Sequence, residues 1–287
     1  MITNQLLYQL SYEGLGNRIA YNLLLWYIYR SMSSIDKIST NLVNAFLKNK
    51  LIAPVPIKFA KNIREAQKLR TLCEKKINLP VIGFKAGGTA IPVLKKLGEK
   101  EPFYASIYKQ NFIKSGKKVK INKFNLGIEL EVCYLVKKSF FKSKGVLKMK
   151  DMSKYLSHMA PCIEVVGYRQ RKKGLKYLGD ICGDFGANIK FLIGKKKKFR
   201  KINIGNLKTK LQNKRAKQSV NGNTNTVYIN PLNSCKFVLN KLKKDKINLE
   251  KDFYIFTGST VGVVPIIKKG LFEGKIDKLG SVKAYII

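Results

Sequence analysis

Hydrophobic positions along this chain recur with two periods, and the period changes partway. Over 35–48 the apolar residues Ile38, Leu42, Ala45 and Phe46 form the stripe of an amphipathic helix. Residues 62–76 (NIREAQKLRTLCEKK) repeat it at Ile63, Ala66, Leu69 and Leu72, with Asn62 placed to cap the first turn. Pro54 and Pro56 break the chain between the two helices. A short strand is then expected over 79–84, a turn at Lys85-Ala86-Gly87-Gly88-Thr89, and a short helix over 91–97. Beyond this point period two takes over. Residues 117–123 alternate and lead into 127–136 (GIELEVCYLV), a strand rich in β-branched and aromatic residues. A lysine-rich connection covers 140–150, a helix is expected over 151–159, and 161–166 reads as a second apolar strand. Residues 208–225 are polar and turn-rich, and a helix over 231–244 has Asn230 as its cap. Strands are expected at 189–193, at 252–256 before the turn Thr257-Gly258, and at 279–286. No internal repeat is present. From about residue 33 the pattern is that of one α+β domain, helical at its start and strand-rich afterwards.

The strand at 127–136 carries the first candidate chemistry. Alternation sends Ile128, Leu130 and Val132 to one face and Glu129, Glu131 and Cys133 to the other. Two carboxylates then stand with Cα atoms roughly 6.6 Å apart. Like charges so placed repel unless both face water, as on a solvated edge strand, or a cation lies between them. The second apolar strand holds Glu164 among apolar neighbours, so that acid is either paired or on a ligand. A carboxylate-only set suits a hard divalent ion, Mg²⁺ or Mn²⁺.

Composition sharpens this picture. Only 17 residues are Asp or Glu against 57 Lys or Arg, a net charge of +40, so acids paired inside an apolar strand are less expected by chance. Such charge admits a nucleic-acid partner. The lysines are nonetheless spread widely, outnumber arginine, and are densest at 195–198 in a loop-like stretch, a pattern closer to compositional drift than to a dedicated site. Five cysteines without CxxC spacing exclude a zinc ribbon and a disulfide framework and suit a reducing, cytoplasmic setting. His158 is the only histidine, which removes Ser-His-Asp catalysis and leaves carboxylates, lysine or tyrosine for proton transfer. The apolar run over 19–29 is too short for a bilayer-spanning helix and lacks the marks of a secretory signal. Residues 1–31 are either an organelle-targeting or surface-binding amphipathic piece or, the reading favoured, an extension ahead of a start at Met32, with the domain over 32–287.

Read together, several segments resemble the 2-keto-4-pentenoate hydratase branch of the fumarylacetoacetate hydrolase superfamily. They are Gly83-Phe84-Lys85-Ala86-Gly87-Gly88-Thr89, Glu101-Pro102-Phe103-Tyr104, Ile128-Glu129-Leu130-Glu131 and Pro161-Cys162-Ile163-Glu164-Val165-Val166-Gly167-Tyr168-Arg169. Asp184-Phe185-Gly186-Ala187-Asn188, Asn230-Pro231-Leu232, Phe256-Thr257-Gly258 and Leu279-Gly280-Ser281-Val282 follow in family order. The resemblance covers about 35–287. It implies a mixed β-sheet roll like the C-terminal domain of fumarylacetoacetase behind an N-terminal helical segment. It also implies a homo-oligomer and a metal-dependent hydro-lyase acting on a 2-hydroxy-2,4-dienoate, in the catabolism of aromatic compounds. Glu129, Glu131 and Glu164 would hold Mg²⁺ or Mn²⁺, Lys85 would be catalytic, and Thr89, Asp184 and Thr257 would lie near a small 2-oxo acid substrate. Three ionised Glu and one dication leave net negative charge, which favours Lys85 as an ammonium, an anchor or proton donor rather than a neutral base. Gly88-Thr89-Ala90 stands where family members carry Leu-Thr-Ser, Phe103 where some carry an acid, and Ala187 where some carry Ser, which bears on the substrate and not on the metal triad. Two alternatives remain. One is a basic RNA- or ribonucleoprotein-associated component on the same fold; the other is a 2-oxo-enedioate (4-oxalocrotonate-type) decarboxylase or an acylpyruvate hydrolase.

Overall fold

The computed structural model describes residues 34–287, so the proposed extension over 1–31 and the start at Met32 lie outside the described residues. The chain opens with helices α1 (Ser34–Lys48), α2 (Lys58–Lys61) and α3 (Ile63–Lys76). The Asn62 side chain accepts from the backbone N–H of Arg64 and Glu65, the cap that its sequence position predicts. Leu69 and Cys73 of α3 then pack with Leu42, Val43 and Phe46 of α1.

Thirteen strands follow, with four further helices between them. In chain order these are β1 (Val81–Gly87), α4 (Ile91–Lys96), β2 (Phe103–Tyr108), β3 (Phe112–Lys114), β4 (Lys118–Val119) and β5 (Asn125–Val136). Next come α5 (Met152–Tyr155), β6 (Leu156–Gly167), α6 (Leu178–Cys182), β7 (Asn188–Ile193) and β8 (Lys197–Lys198). The chain closes with β9 (Lys208–Asn213), β10 (Gln218–Asn223), α7 (Pro231–Lys244), β11 (Phe253–Ser259), β12 (Gly270–Ile276) and β13 (Gly280–Ile286). The larger sheet runs β2-β1-β11-β5-β6-β7-β3, with β8 on β6, and the smaller runs β10-β9-β12-β13-β4. Both are mixed, since β1–β11, β3–β7 and β13–β4 pair parallel. Ile128, Leu130, Val132 and Val165 on one face of β5 and β6 meet Leu211, Phe272, Val282 and Ala284 of the smaller sheet and Val238 and Leu239 of α7 in the main core. At roughly 1.5–3 kcal/mol per fully buried aliphatic side chain, this face fixes the register of the central strands.

Of the two readings of the strand bearing the Glu pair, the solvated edge is excluded, since that strand lies inside the sheet between β11 and β6. Several sequence expectations are corrected. Lys85, Ala86 and Gly87 do not form a turn; they end β1, paired with Ala105, Tyr104 and Phe103. Only the single turn of α5 forms in the expected 151–159 helix, because His158 and Met159 are drawn into pairing with Leu135 and Tyr134. The stretch 208–225 is mostly a β9–β10 hairpin whose inward positions are Thr209, Leu211 and Asn213, a strand alternation with a single apolar member. Lys197 and Lys198 of the lysine run are paired with β6 as β8. Among the described residues no helix is long and apolar enough to cross a membrane.

Candidate metal centre

The second face of β5 and β6 carries the acids. Antiparallel pairing sets Glu129 of β5 opposite Glu164 of β6, and Glu131 opposite Cys162. Opposed residues share a face with Cβ atoms about 4.5–5.5 Å apart. One carboxylate oxygen from each of Glu129, Glu131 and Glu164 lies within 4.8 Å of the other two. Glu131 and Glu164 are fully buried and Glu129 is half-buried, so the approach from solvent lies on the Glu129 side.

Lys85 reaches the same point from β1, two strands away from β5. Its Nζ donates to Glu164 Oε1 at 2.5 Å and to the Gly186 carbonyl at 3.1 Å. That carbonyl is presented by three successive left-handed residues, Phe185, Gly186 and Ala187, with φ of 52°, 73° and 56°. Such backbone persists only where its surroundings hold it. Asp184, immediately before it, accepts from the Arg169 and Gln170 side chains and from the Arg169 N–H, while Arg169 lies over the rings of Phe46 and Phe185.

A bulge in β11 completes the centre. Phe256 pairs with Cys133 and Ser259 with Glu131, so β11 has one more residue between these points than β5. Within the bulge Gly258 takes φ of +100° and its N–H donates to Glu131 Oε2 at 2.9 Å. A Cβ at Gly258 would stand 2.0 Å from Thr89 Oγ1, which places Thr89 directly against the bulge. Gly258→Ala is therefore expected to lower stability by about 1–3 kcal/mol and to weaken divalent-ion binding together with it. Urea unfolding and ion titration of that variant check both.

The structure thus brings Lys85, Glu129, Glu131 and Glu164 together, with Thr89 beside them. It does not bring Thr257 and Asp184 there by their side chains. The Thr257 hydroxyl donates to the Val132 carbonyl at 2.8 Å, and Asp184 is bound to Arg169 and Gln170. Two groups were not anticipated as contacts, the Gly258 N–H and the Gly186 carbonyl. The glycine after Thr257 and the one after Phe185 were their only trace in the sequence.

Electrostatics in this centre follow from burial. Burial and repulsion from Glu164 and Glu129 push Glu131 well above the usual carboxylate range, against Lys85 and the Gly258 N–H. Burial pushes Glu164 up to about 7 despite Lys85. Burial likewise raises Glu129. Burial works against the Lys85 ammonium, yet Glu164, Glu129 and Glu131 outweigh it and hold the group above its ordinary value.

The chemistry of this donor set fits a hard dication. Glu131 Oε1 and Glu164 Oε2 are buried with no hydrogen-bond partner, and a bare buried carboxylate oxygen is costly unless a cation meets it. Protons and an ion compete for these oxygens. Carboxyls whose folded pKa is raised stabilise the metal-free protein below their unfolded value near 4.5, and this contribution is lost as pH rises through about 7 for Glu164. A dication is therefore expected to raise the melting temperature more at pH 8 than at pH 5.5. Melting curves with and without Mn²⁺ at both pH values test this, and an equal or larger shift at pH 5.5 contradicts it.

Neither a family model nor a curated protein matches the sequence. Solved structures do match. The chain is similar to 4-oxalocrotonate decarboxylase from Pseudomonas putida G7 complexed with magnesium and adipate, with TM-score 0.76 and 18% identity over 90% of this chain and 99% of that one. The same enzyme complexed with calcium and acetate matches with TM-score 0.74 at the same identity and coverage. Fumarylpyruvate hydrolase from Pseudomonas aeruginosa in complex with Mn²⁺ and pyruvate matches with TM-score 0.55 and 13% identity over 74% and 92%. At these identities the likeness is one of fold: the chain shares the α+β fold of these enzymes.

Proposed function

We propose that the protein is a divalent-metal-dependent enzyme acting on a small 2-oxo acid or its 2-hydroxydienoate tautomer. The observation that carries this reading is the convergence of Glu129, Glu131 and Glu164, two of them with orphaned buried oxygens, beside the Lys85 ammonium. These three residues would hold Mg²⁺ or Mn²⁺. When bound, the dication supplies an electron sink for a 2-oxo acid, whose carboxylate and keto oxygens form a chelating pair.

Lys85 does the rest of the work that the chain itself can do. An ammonium has three N–H groups, and Glu164 and Gly186 take two of them. The third is left to anchor a substrate carboxylate or to deliver a proton. Glu131 and Glu164 are fully buried by the residues around them, so bulk water is kept from both carboxylates, which strengthens every charge interaction in the centre.

Decarboxylation of a 2-oxo-enedioate is the reaction we place first. The neighbour named 4-oxalocrotonate decarboxylase shares the fold over 99% of its own chain, which supports this choice. The bond to the departing carboxylate breaks, its electron pair passes along the conjugated chain to the keto oxygen, and one proton is taken up to give a 2-hydroxydienoate. Hydration of such a dienoate, the reaction implied by the motif resemblance, is the second reading. Purified protein with Mg²⁺ or Mn²⁺ is to be assayed against 2-oxo-3-hexenedioate and 2-hydroxy-2,4-pentadienoate. Ion-dependent CO₂ release supports the first reaction, and loss of diene absorbance without CO₂ the second. Absence of ion-dependent turnover with both contradicts the proposal.

A further inference from the structure

The bulge of β11 is held from both sides, and only one side belongs to the acids. The Thr257 C=O and the Gly258 N–H are the two ends of a single planar peptide, and in a trans peptide they point in opposite directions. In a regular ladder such groups pair with neighbouring strands. Here the N–H donates to Glu131 Oε2 at 2.9 Å, and the C=O accepts from the Ser234 hydroxyl of α7 at 2.7 Å. Ser234 and Thr257 are both fully buried. The Ser234 N–H donates to the carbonyl of Asn230, the residue that caps α7, so its place on the helix is fixed.

Turning this peptide over would take Gly258 from φ of +100° to roughly −80°, and glycine admits both. Backbone preference therefore does not set the orientation; the two hydrogen bonds do. Nor does α7 itself call for a serine at this point. A helix interior favours alanine, and a serine hydroxyl there ordinarily turns back onto its own helix. This one leaves α7 for the bulge. A donor on the carbonyl also polarises the N–H of the same peptide toward its own acceptor.

We propose that Ser234 is a positioning residue for the metal centre, acting on Glu131 through the Thr257–Gly258 peptide. With Oε2 engaged by Gly258, the oxygen of Glu131 left for an ion is Oε1, which has no partner. Without the hydroxyl the buried carbonyl loses a donor, and the freedom of Gly258 lets the peptide rotate and carry its N–H away from Glu131. The inference rests on the metal reading of the acid centre.

Ser234→Ala, which keeps the helix and removes only the hydroxyl, tests this in two ways. Mn²⁺ titration of the full chain should show affinity lowered by about 10–100-fold, the range for lost partners of a ligating group. In the metal-free protein the Gly258 amide resonance should move upfield and exchange faster with solvent. Thr257-Gly258 is the only Thr-Gly step in the chain, so ¹³C-threonine combined with ¹⁵N-glycine selects this amide. Ser234→Thr, which restores a hydroxyl, should recover both readings. Should Ser234→Ala not fold, Ser234→Cys, whose thiol is a weak donor, takes its place with the same two readings. Equal Mn²⁺ affinity in wild type and variant would mean that Ser234 merely packs, whatever the melting temperature, and would overturn the proposal. An affinity loss with the amide unmoved would put the effect elsewhere in α7 and would overturn it too. A wild type that binds no Mn²⁺ would instead overturn the metal reading, and the role of Ser234 with it.

Discussion

Glu131→Gln is expected to lower divalent-ion affinity by at least 100-fold and to remove turnover with it. Changes to residues that merely orient metal ligands already lower affinity by about 10–100-fold, and Glu131 would be a ligand itself. The substitution keeps the side chain's size but replaces a charged oxygen donor with a neutral amide, a poor ligand for a hard cation. The Gly258 N–H, which donates to Glu131 Oε2, would then face either the amide oxygen or the amide nitrogen. Isothermal titration with Mn²⁺ measures the loss. The same variant separates the enzyme from a basic RNA-associated protein. Nucleic-acid affinity drawn from surface lysines falls with salt and would be untouched by Glu131→Gln, whereas neutralising Lys195, Lys196, Lys197 and Lys198 would weaken it and spare turnover.

Lys85→Met is expected to act in the opposite sense on the metal-free protein. The Lys85 ammonium is the only cation bonded to the acid cluster among the described residues, through Glu164 Oε1 at 2.5 Å. Removing one partner of a buried pair costs about 3–5 kcal/mol, because the other charge is left in the interior. The cost is expected at pH 8, where Glu164 is ionised, and to shrink toward pH 5.5, where Glu164 takes a proton instead. Mn²⁺ should recover part of this stability, since the dication supplies the missing positive charge. Turnover should fall by about 10²–10⁴-fold even at saturating ion, the range for loss of a proton-transferring group. Stability intact at pH 8 in the metal-free variant would show that Lys85 does not compensate the cluster.

What the sequence displayed and what it concealed divide along contact range. The helices α1, α3 and α7 were legible because their apolar stripes, and the Asn62 and Asn230 caps of α3 and α7, are local features. The period-two alternation of β5 placed both Glu129 and Glu131 on the face opposite the core, as observed. Glu164 was singled out by its apolar neighbours and by the motif resemblance, and pairing in register with Glu129 shows why it stands there. The end of β1 and the strand β9 were misread because their strand character comes from β2, β11 and β12, while β10, an edge strand paired only with its neighbour β9, was hidden by its polar sequence. The β11 bulge could not be foreseen either, since the extra residue is defined against β5 and not within β11.

The central claim is that Glu129, Glu131 and Glu164 form one divalent-ion site. Crystals grown with Mn²⁺ and measured at the manganese absorption edge test it directly. The predicted result is a single strong anomalous peak bounded by one oxygen from each of the three carboxylates, at distances of roughly 2.0–2.2 Å. Glu131 Oε1 and Glu164 Oε2 should be among those oxygens, because both are buried without another partner. A saturated crystal with no peak at this point, and with Glu164 still held by Lys85, would contradict the account.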